Sequence, residues 1–145
     1  MLFRSGLFGG NSNWRGPVWI PINYLLIEVL ERYHRFYGDD LKLECPTGSG
    51  RWCTFGEVAQ ELVRRVSSIF LADKTGRRPY QEEHERWRND PNWKGLILFN
   101  EYFHGETGKG LGASHQTGWS ALVIRLLEDL ATRKAGAPKE SGKKP

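Results

Sequence analysis

Two clusters of side chains in this sequence have the types and spacing to do chemistry. The first runs Asn11-Ser12-Asn13-Trp14-Arg15-Gly16-Pro17-Val18-Trp19-Ile20-Pro21-Ile22-Asn23-Tyr24 and sets a Trp–Arg pair in a proline-stiffened turn at the mouth of a helix. The second begins Glu101-Tyr102-Phe103-His104-Gly105-Glu106-Thr107-Gly108 and continues through Gly112, His115 and Gln116 to Gly118-Trp119-Ser120. It offers carboxylates and aromatics, then a flexible loop at the start of another helix. A pyranose presents apolar C–H faces and a rim of hydroxyls, so its site needs flat aromatic platforms ringed by Arg, Asn, Gln and carboxylate groups. The two clusters together supply that set. The candidate contacts are Trp14, Arg15, Trp19, Asn23, Tyr102, His115, Gln116 and Trp119. Six of them have a plainer reading: Trp14, Trp19 and Trp119 as packing, Arg15 as an ion-pair partner, Asn23 as a cap, and His115 as a solvated loop residue. His34 and His104 read as structural or exposed.

Other chemistries find less support. Gly108, Gly110 and Gly112 match no phosphate-binding fingerprint, because no strand precedes them within a βαβ unit; they read as glycines that let a loop fold over a ligand. Cys45 and Cys53 flank Pro46-Thr47-Gly48-Ser49-Gly50, with no second Cys or His pair at ligand spacing. They read as two half-buried thiols, and neither a metal nor an organic cofactor is expected.

Elements must hold the two clusters in place. Ile22, Leu25, Leu26, Val29, Leu30, Tyr33 and Phe36 recur at helical spacing after Pro21, and Gly38 supplies the stop, which predicts one long amphipathic helix. Leu41, Leu43 and Cys45 alternate with Lys42 and Glu44, and Gly48 and Gly50 precede Trp52, so a short hairpin is expected. Thr54 and Glu57 form a capping-box pair that starts a second helix at Phe55, carried on by Val58, Leu62, Val66, Ile69 and Phe70. The mostly charged stretch 77–92 reads as exposed or partly packed, and Leu96-Ile97-Leu98-Phe99 as a short apolar run. Trp119, Leu122, Val123, Leu126, Leu127 and Leu130 predict a third helix.

The 145 residues, 39% hydrophobic and 26% charged, describe an ordinary globular chain of one domain at most. Runs such as Tyr24-Leu25-Leu26-Ile27 fall far short of the ~20 apolar residues of a membrane span. Glycines break the first ten residues before a secretory segment forms, so the expected location is cytoplasmic. The net charge of +4 resides in residues 133–145, where five basic residues face one acidic residue, and the body is neutral. Residues 133–145 are therefore expected to be a disordered basic tail after a folded unit of 1–132, and a nucleic-acid partner is not expected.

Asn13-Trp14-Arg15-Gly16-Pro17-Val18-Trp19 with Asn23-Tyr24, and Glu101-Tyr102-Phe103 through Thr107-Gly108 to Gly118-Trp119-Ser120-Ala121, resemble the carboxyl-terminal catalytic region of glycoside hydrolase family 63 and the related mannosylglycerate-hydrolase-like enzymes. Pro46-Thr47-Gly48-Ser49-Gly50 and Arg77-Arg78-Pro79 are also similar to that family, so the resemblance spans about residues 9–131. It implies an all-α fold, here part of an (α/α)6 toroid carrying a small β-hairpin and glycine-rich loops. It also implies hydrolysis of an α-glycosidic bond with inversion, and no cofactor. By the same resemblance Glu101, which opens the second motif, is the general base, with Glu106 as competitor. The family's general acid is an Asp upstream of the Trp-Arg-Gly-Pro motif and has no counterpart in this chain. The resemblance therefore implies a segment that is nearly inert alone and whose partners are an α-linked carbohydrate and the upstream part of the catalytic domain. The alternative is a non-catalytic carbohydrate-binding or interaction module.

Overall fold

The computed structural model describes residues 16–81, 89–93 and 95–136, with side chains up to residue 132. Trp14, Arg15 and the tail beyond residue 136 lie outside the described residues. Helix α1 (Ile20–Tyr37) starts on Trp19 with a proline in its first turn, and Asn23 Nδ2 donates to Trp19 O at 2.8 Å. Its end is set where expected: Gly38 takes φ 61° and donates its N–H to His34 O. Strands β1 (Lys42–Glu44) and β2 (Trp52–Thr54) form the predicted hairpin, with Leu43 opposite Cys53. The Glu44 carboxylate accepts from Gly50 N at 2.6 Å, which ties the turn to its own strand. Both cysteines are free thiols, Cys53 buried and Cys45 half-buried.

Thr54 then caps helix α2 (Phe55–Ser68). Its hydroxyl accepts from Glu57 N at 3.2 Å while Glu57 Oε2 accepts from Thr54 N at 2.7 Å, satisfying two donors that a helix start leaves orphaned. Gly56 is required by packing rather than by its backbone angle, since a Cβ there would stand 2.6 Å from the His34 ring on α1.

Part of the charged stretch departs from expectation. A single 3₁₀ turn (Pro79–Gln81) buries Tyr80 and Gln81, and Tyr80 OH donates to Leu96 O at 3.2 Å. The apolar run 96–99 forms no strand; Leu98 and Phe99 pack against the core while Leu96 and Ile97 stay exposed. A second hairpin, unforeseen in the sequence, follows as β3 (Tyr102–Phe103) and β4 (Gly110–Leu111), with Tyr102 opposite Leu111 and Phe103 opposite Gly110.

The third predicted helix divides into α3 (Thr117–Ser120) and α4 (Val123–Gly136). The break follows Ser120, which is fully buried and donates its hydroxyl to the Asn100 carbonyl, a tertiary bond that fixes the short helix to the preceding loop. Helix α4 runs to Gly136, so its last turn occupies residues 133–136, the stretch expected to begin a disordered tail.

The core lies where α1, α2 and α4 meet the second hairpin. Ile20, Ile27, Ala59, Val63, Val66, Val123 and Leu126 come from the helices, and Phe70, Tyr80 and Phe103 from the loops and hairpin. Phe70 binds the layers together, its ring 5.4 Å from Tyr80 and 5.1 Å from Phe103. Among the described residues the chain is mostly helical with two small antiparallel sheets.

Candidate functional site

The two sequence clusters meet at their backbones. Val18 N donates to Phe103 O at 2.8 Å and Phe103 N to Val18 O at 3.0 Å, an antiparallel bridge across 85 residues of sequence. The contact continues to Gly105, where a Cβ would stand 2.4 Å from Gly16 O. Only a residue without a Cβ admits that approach.

Side chains complete the joint. Trp19 stacks on Tyr102 with ring centroids 4.7 Å apart and planes at 28°, and meets Trp119 edge-on at 6.0 Å. Offset and edge-to-face pairs of this kind contribute about 0.5–1.5 kcal/mol each beyond area burial. With only 6% of its surface exposed, Trp19 supports Tyr102 from beneath and presents no open face. Tyr102 and Trp119 are half-buried.

Glu101 precedes Tyr102 and is held twice by one residue across the hairpin. Its N–H donates to Ala113 O at 2.9 Å, and its Oε2 accepts from Ala113 N at 3.1 Å. The carboxylate is thus aimed by a backbone donor, and the residue remains half-buried. Gly112 makes this possible: at φ 70° it sits so close that a Cβ would be 2.5 Å from Glu101 Oε2 and 2.7 Å from Tyr102 Cε1. Gly110 is equally constrained, a Cβ there falling 2.2 Å from Asn100 Oδ1. The glycines read as a flexible cover are therefore places of close packing. Their alternate spacing, at 108, 110 and 112 around β4, is the signal that could have shown it.

His115 and Gln116 hold the loop to Phe99. Gln116 N donates to Phe99 O at 2.6 Å, and Gln116 stands at the N-cap of α3. Phe99 N approaches His115 Nδ1 at 3.4 Å, which leaves the ring proton on Nε2, and the two rings lie 5.8 Å apart. His115 is exposed and Gln116 half-buried. Asn100 and Ala113 are positioning residues that the sequence reading did not single out, while Gly112 and Ser120 were named there without a positioning role.

Asn23 and Glu106 face elsewhere. A cavity of about 430 Å³ opens between α2 and the β3–β4 turn, and its polar lining includes Asn23, Arg65, His104, Glu106 and Thr107; Glu101 is not part of it. His104 Nδ1 accepts from Glu106 N at 3.3 Å and Thr107 N at 3.4 Å, so its Nε2 carries the proton. At the α2 edge, hydrogen bonds from Arg64 and Arg65 hold the Glu61 carboxyl down at about 2.

A half-buried carboxylate held by a backbone donor thus stands beside a stacked aromatic pair. The family model for the glycosyl hydrolase family 63 C-terminal domain matches residues 8–129, and the chain belongs to that family. It is similar, at 48% identity over 128 residues, to an uncharacterized protein of Saccharomyces cerevisiae, covering 87% of this chain and 12% of that protein. It is 27% identical over 121 residues to the mannosyl-oligosaccharide glucosidase of the same yeast, covering 83% of this chain and 11% of the enzyme. To alpha-glucosidase 2 of Arabidopsis thaliana it is 25% identical over 116 residues, 80% of this chain and 11% of the enzyme. The chain thus spans about a ninth of the length of the curated relatives it matches. No solved structure matches it.

Proposed function

We propose that this chain supplies the general-base side of an inverting glycoside hydrolase site acting on α-glycosidic bonds, as one slice of an (α/α)6 toroid. Glu101, ionised, takes a proton from water as the water oxygen attacks the anomeric carbon. A carboxylic acid from outside this chain gives its proton to the departing glycosidic oxygen. Inversion requires the two carboxyl groups about 6.5–9.5 Å apart, with the water between base and sugar. Trp14 and Arg15 contact the sugar in this reading, joined by Tyr102, His115, Gln116 and Trp119, while buried Trp19 backs the Tyr102 ring and Asn23 lines the neighbouring cavity. Without the acid and the remaining helices the chain alone is nearly inert, since general-acid assistance alone contributes about 10²–10⁴ in rate.

The observation that supports this reading best is the backbone bridge between Val18 and Phe103, which joins the end of the first motif to the strand that follows Glu101. The test is Glu101→Gln in a chimaera in which this chain replaces the matched segment of its 48%-identical yeast relative, assayed on α-linked glucosides and mannosides. Turnover is expected to fall at least about 10²-fold with binding retained; unchanged turnover overturns the assignment. The cavity lined by Glu106, His104 and Asn23 favours Glu106 as the alternative base. Glu106→Gln in the same chimaera decides between them.

A further inference from the structure

Helix α1 is apolar on two opposite faces. One face carries Ile20 and Ile27 into the core. The other carries Ile22, Leu25, Leu26, Val29, Tyr33 and Phe36, all exposed, Leu25 at 61% and Phe36 at 80%. At helical periodicity these six fall within an arc of about 100°, the width of a seam that buries against another element. No charged residue lies inside the arc, while Arg32 stands just outside it. The stripe runs most of the length of the helix, roughly 21 Å from Ile22 to Phe36, and ends in an aromatic group where Phe36 packs edge-on to Tyr37 at 4.8 Å and Tyr33 lies 5.6 Å from Phe55.

A strip of large side chains this long is not an ordinary surface feature. Its spacing of three and four residues fits a helix laid along it. The relatives indicate where that helix comes from: the matched segment is 11–12% of their length, so most of each relative's chain lies outside it.

We propose that the outer stripe of α1 is the docking seam for an amphipathic helix from the remainder of the family's catalytic chain. This rests on the reading of the chain as one slice of a larger domain, and adds the surface by which the slice is joined. The seam begins one turn from Trp19, so the element that covers Ile22 and Leu25 borders the site on the side away from α2.

The test is thiol accessibility. Leu25→Cys and Val29→Cys are placed singly in a Cys45→Ser, Cys53→Ala background, with exposed Lys74→Cys as reference. Each is made both in this chain and in the yeast chimaera described above, and labelled with a maleimide. In the chimaera, positions 25 and 29 are expected to label at least about 100-fold more slowly than position 74, because burial confines reaction to rare openings. In this chain alone they should label as fast as position 74, with a monomer in the ultracentrifuge. Equal rates at 25, 29 and 74 in the chimaera overturn the proposal. Concentration-dependent protection in this chain alone, with a dimer in the ultracentrifuge, also overturns it by making a second copy the occupant. Labelling is independent of turnover, so protection in an inactive chimaera leaves this inference standing and removes only the catalytic one.

Discussion

Gly112→Ala probes the link between fold and site most directly. At φ 70° an alanine adopts a left-handed conformation that costs roughly 1–2 kcal/mol. Its new Cβ also falls 2.5 Å from Glu101 Oε2, 2.7 Å from Tyr102 Cε1 and 2.8 Å from Glu101 Cβ. The Tyr102 ring is stacked on buried Trp19, so it has little room to retreat. The Glu101 side chain must move instead, breaking its bond from Ala113 N, and overpacking of this kind adds about 1–3 kcal/mol. The sum is about 2–5 kcal/mol, or roughly 6–20 °C in Tm for a chain of this size. Gly48→Ala is the matched control, since its φ is 80° and nothing stands within 4 Å of its Cβ. The difference between the two variants in denaturant unfolding isolates the contact with Glu101. Displacing a catalytic group by about 1 Å can cost on the order of 10²-fold in rate, so turnover of the Gly112→Ala chimaera should fall with its stability. Equal destabilisation by the two variants, or Gly112→Ala with full activity, refutes the claim that this glycine positions the carboxylate.

Four further outcomes are expected. Gly105→Ala meets the Gly16 carbonyl at 2.4 Å, so it should weaken the Val18–Phe103 bridge, read as faster amide exchange at both residues, whereas Gly76→Ala, with open space around its Cβ, should not. Thr54→Ala removes one arm of the capping box and should cost about 1 kcal/mol in denaturant unfolding. Glu57 is held below the usual carboxylate range chiefly by the Thr54 backbone N–H, so its stabilising contribution is complete above the unfolded value and disappears as pH falls through the folded one; the acid limb of a stability–pH curve should flatten in Glu57→Gln. The Glu61 carboxyl should titrate near 2 by NMR and rise toward 4.5 in the Arg64→Ala, Arg65→Ala double variant, because the two guanidinium groups are what hold it down.

The longer elements were legible because their signals are local. Pro21 and Gly38 bracket α1, and Thr54 with Glu57 marks the start of α2 through bonds between residues three apart. The first hairpin was visible in its alternation and its glycine turn. What escaped depends on distant partners. The second hairpin has only two residues per strand, too few for a periodic pattern, and the split between α3 and α4 follows a bond from Ser120 to a carbonyl twenty residues away. Burial of Tyr80 and Gln81 was masked by the charged residues around them. At the site, residue types alone paired the two motifs, and of these Val18 and Trp19 meet Phe103 and Tyr102. The grip of Ala113 on Glu101 was illegible because a backbone N–H, common to nearly every residue, leaves no trace in side-chain identity. Trp14 and Arg15, the most distinctive residues of the first motif, lie outside the described residues.

Because the Val18–Phe103 bridge bolts the two motifs directly to each other, their register does not depend on the length of the path between them. Chain-closure entropy grows slowly with length, so several residues added to the exposed turn 46–50 should cost less than about 1 kcal/mol. Family members can then lengthen or shorten that excursion, and acquire new surface on it, without disturbing the carboxylate.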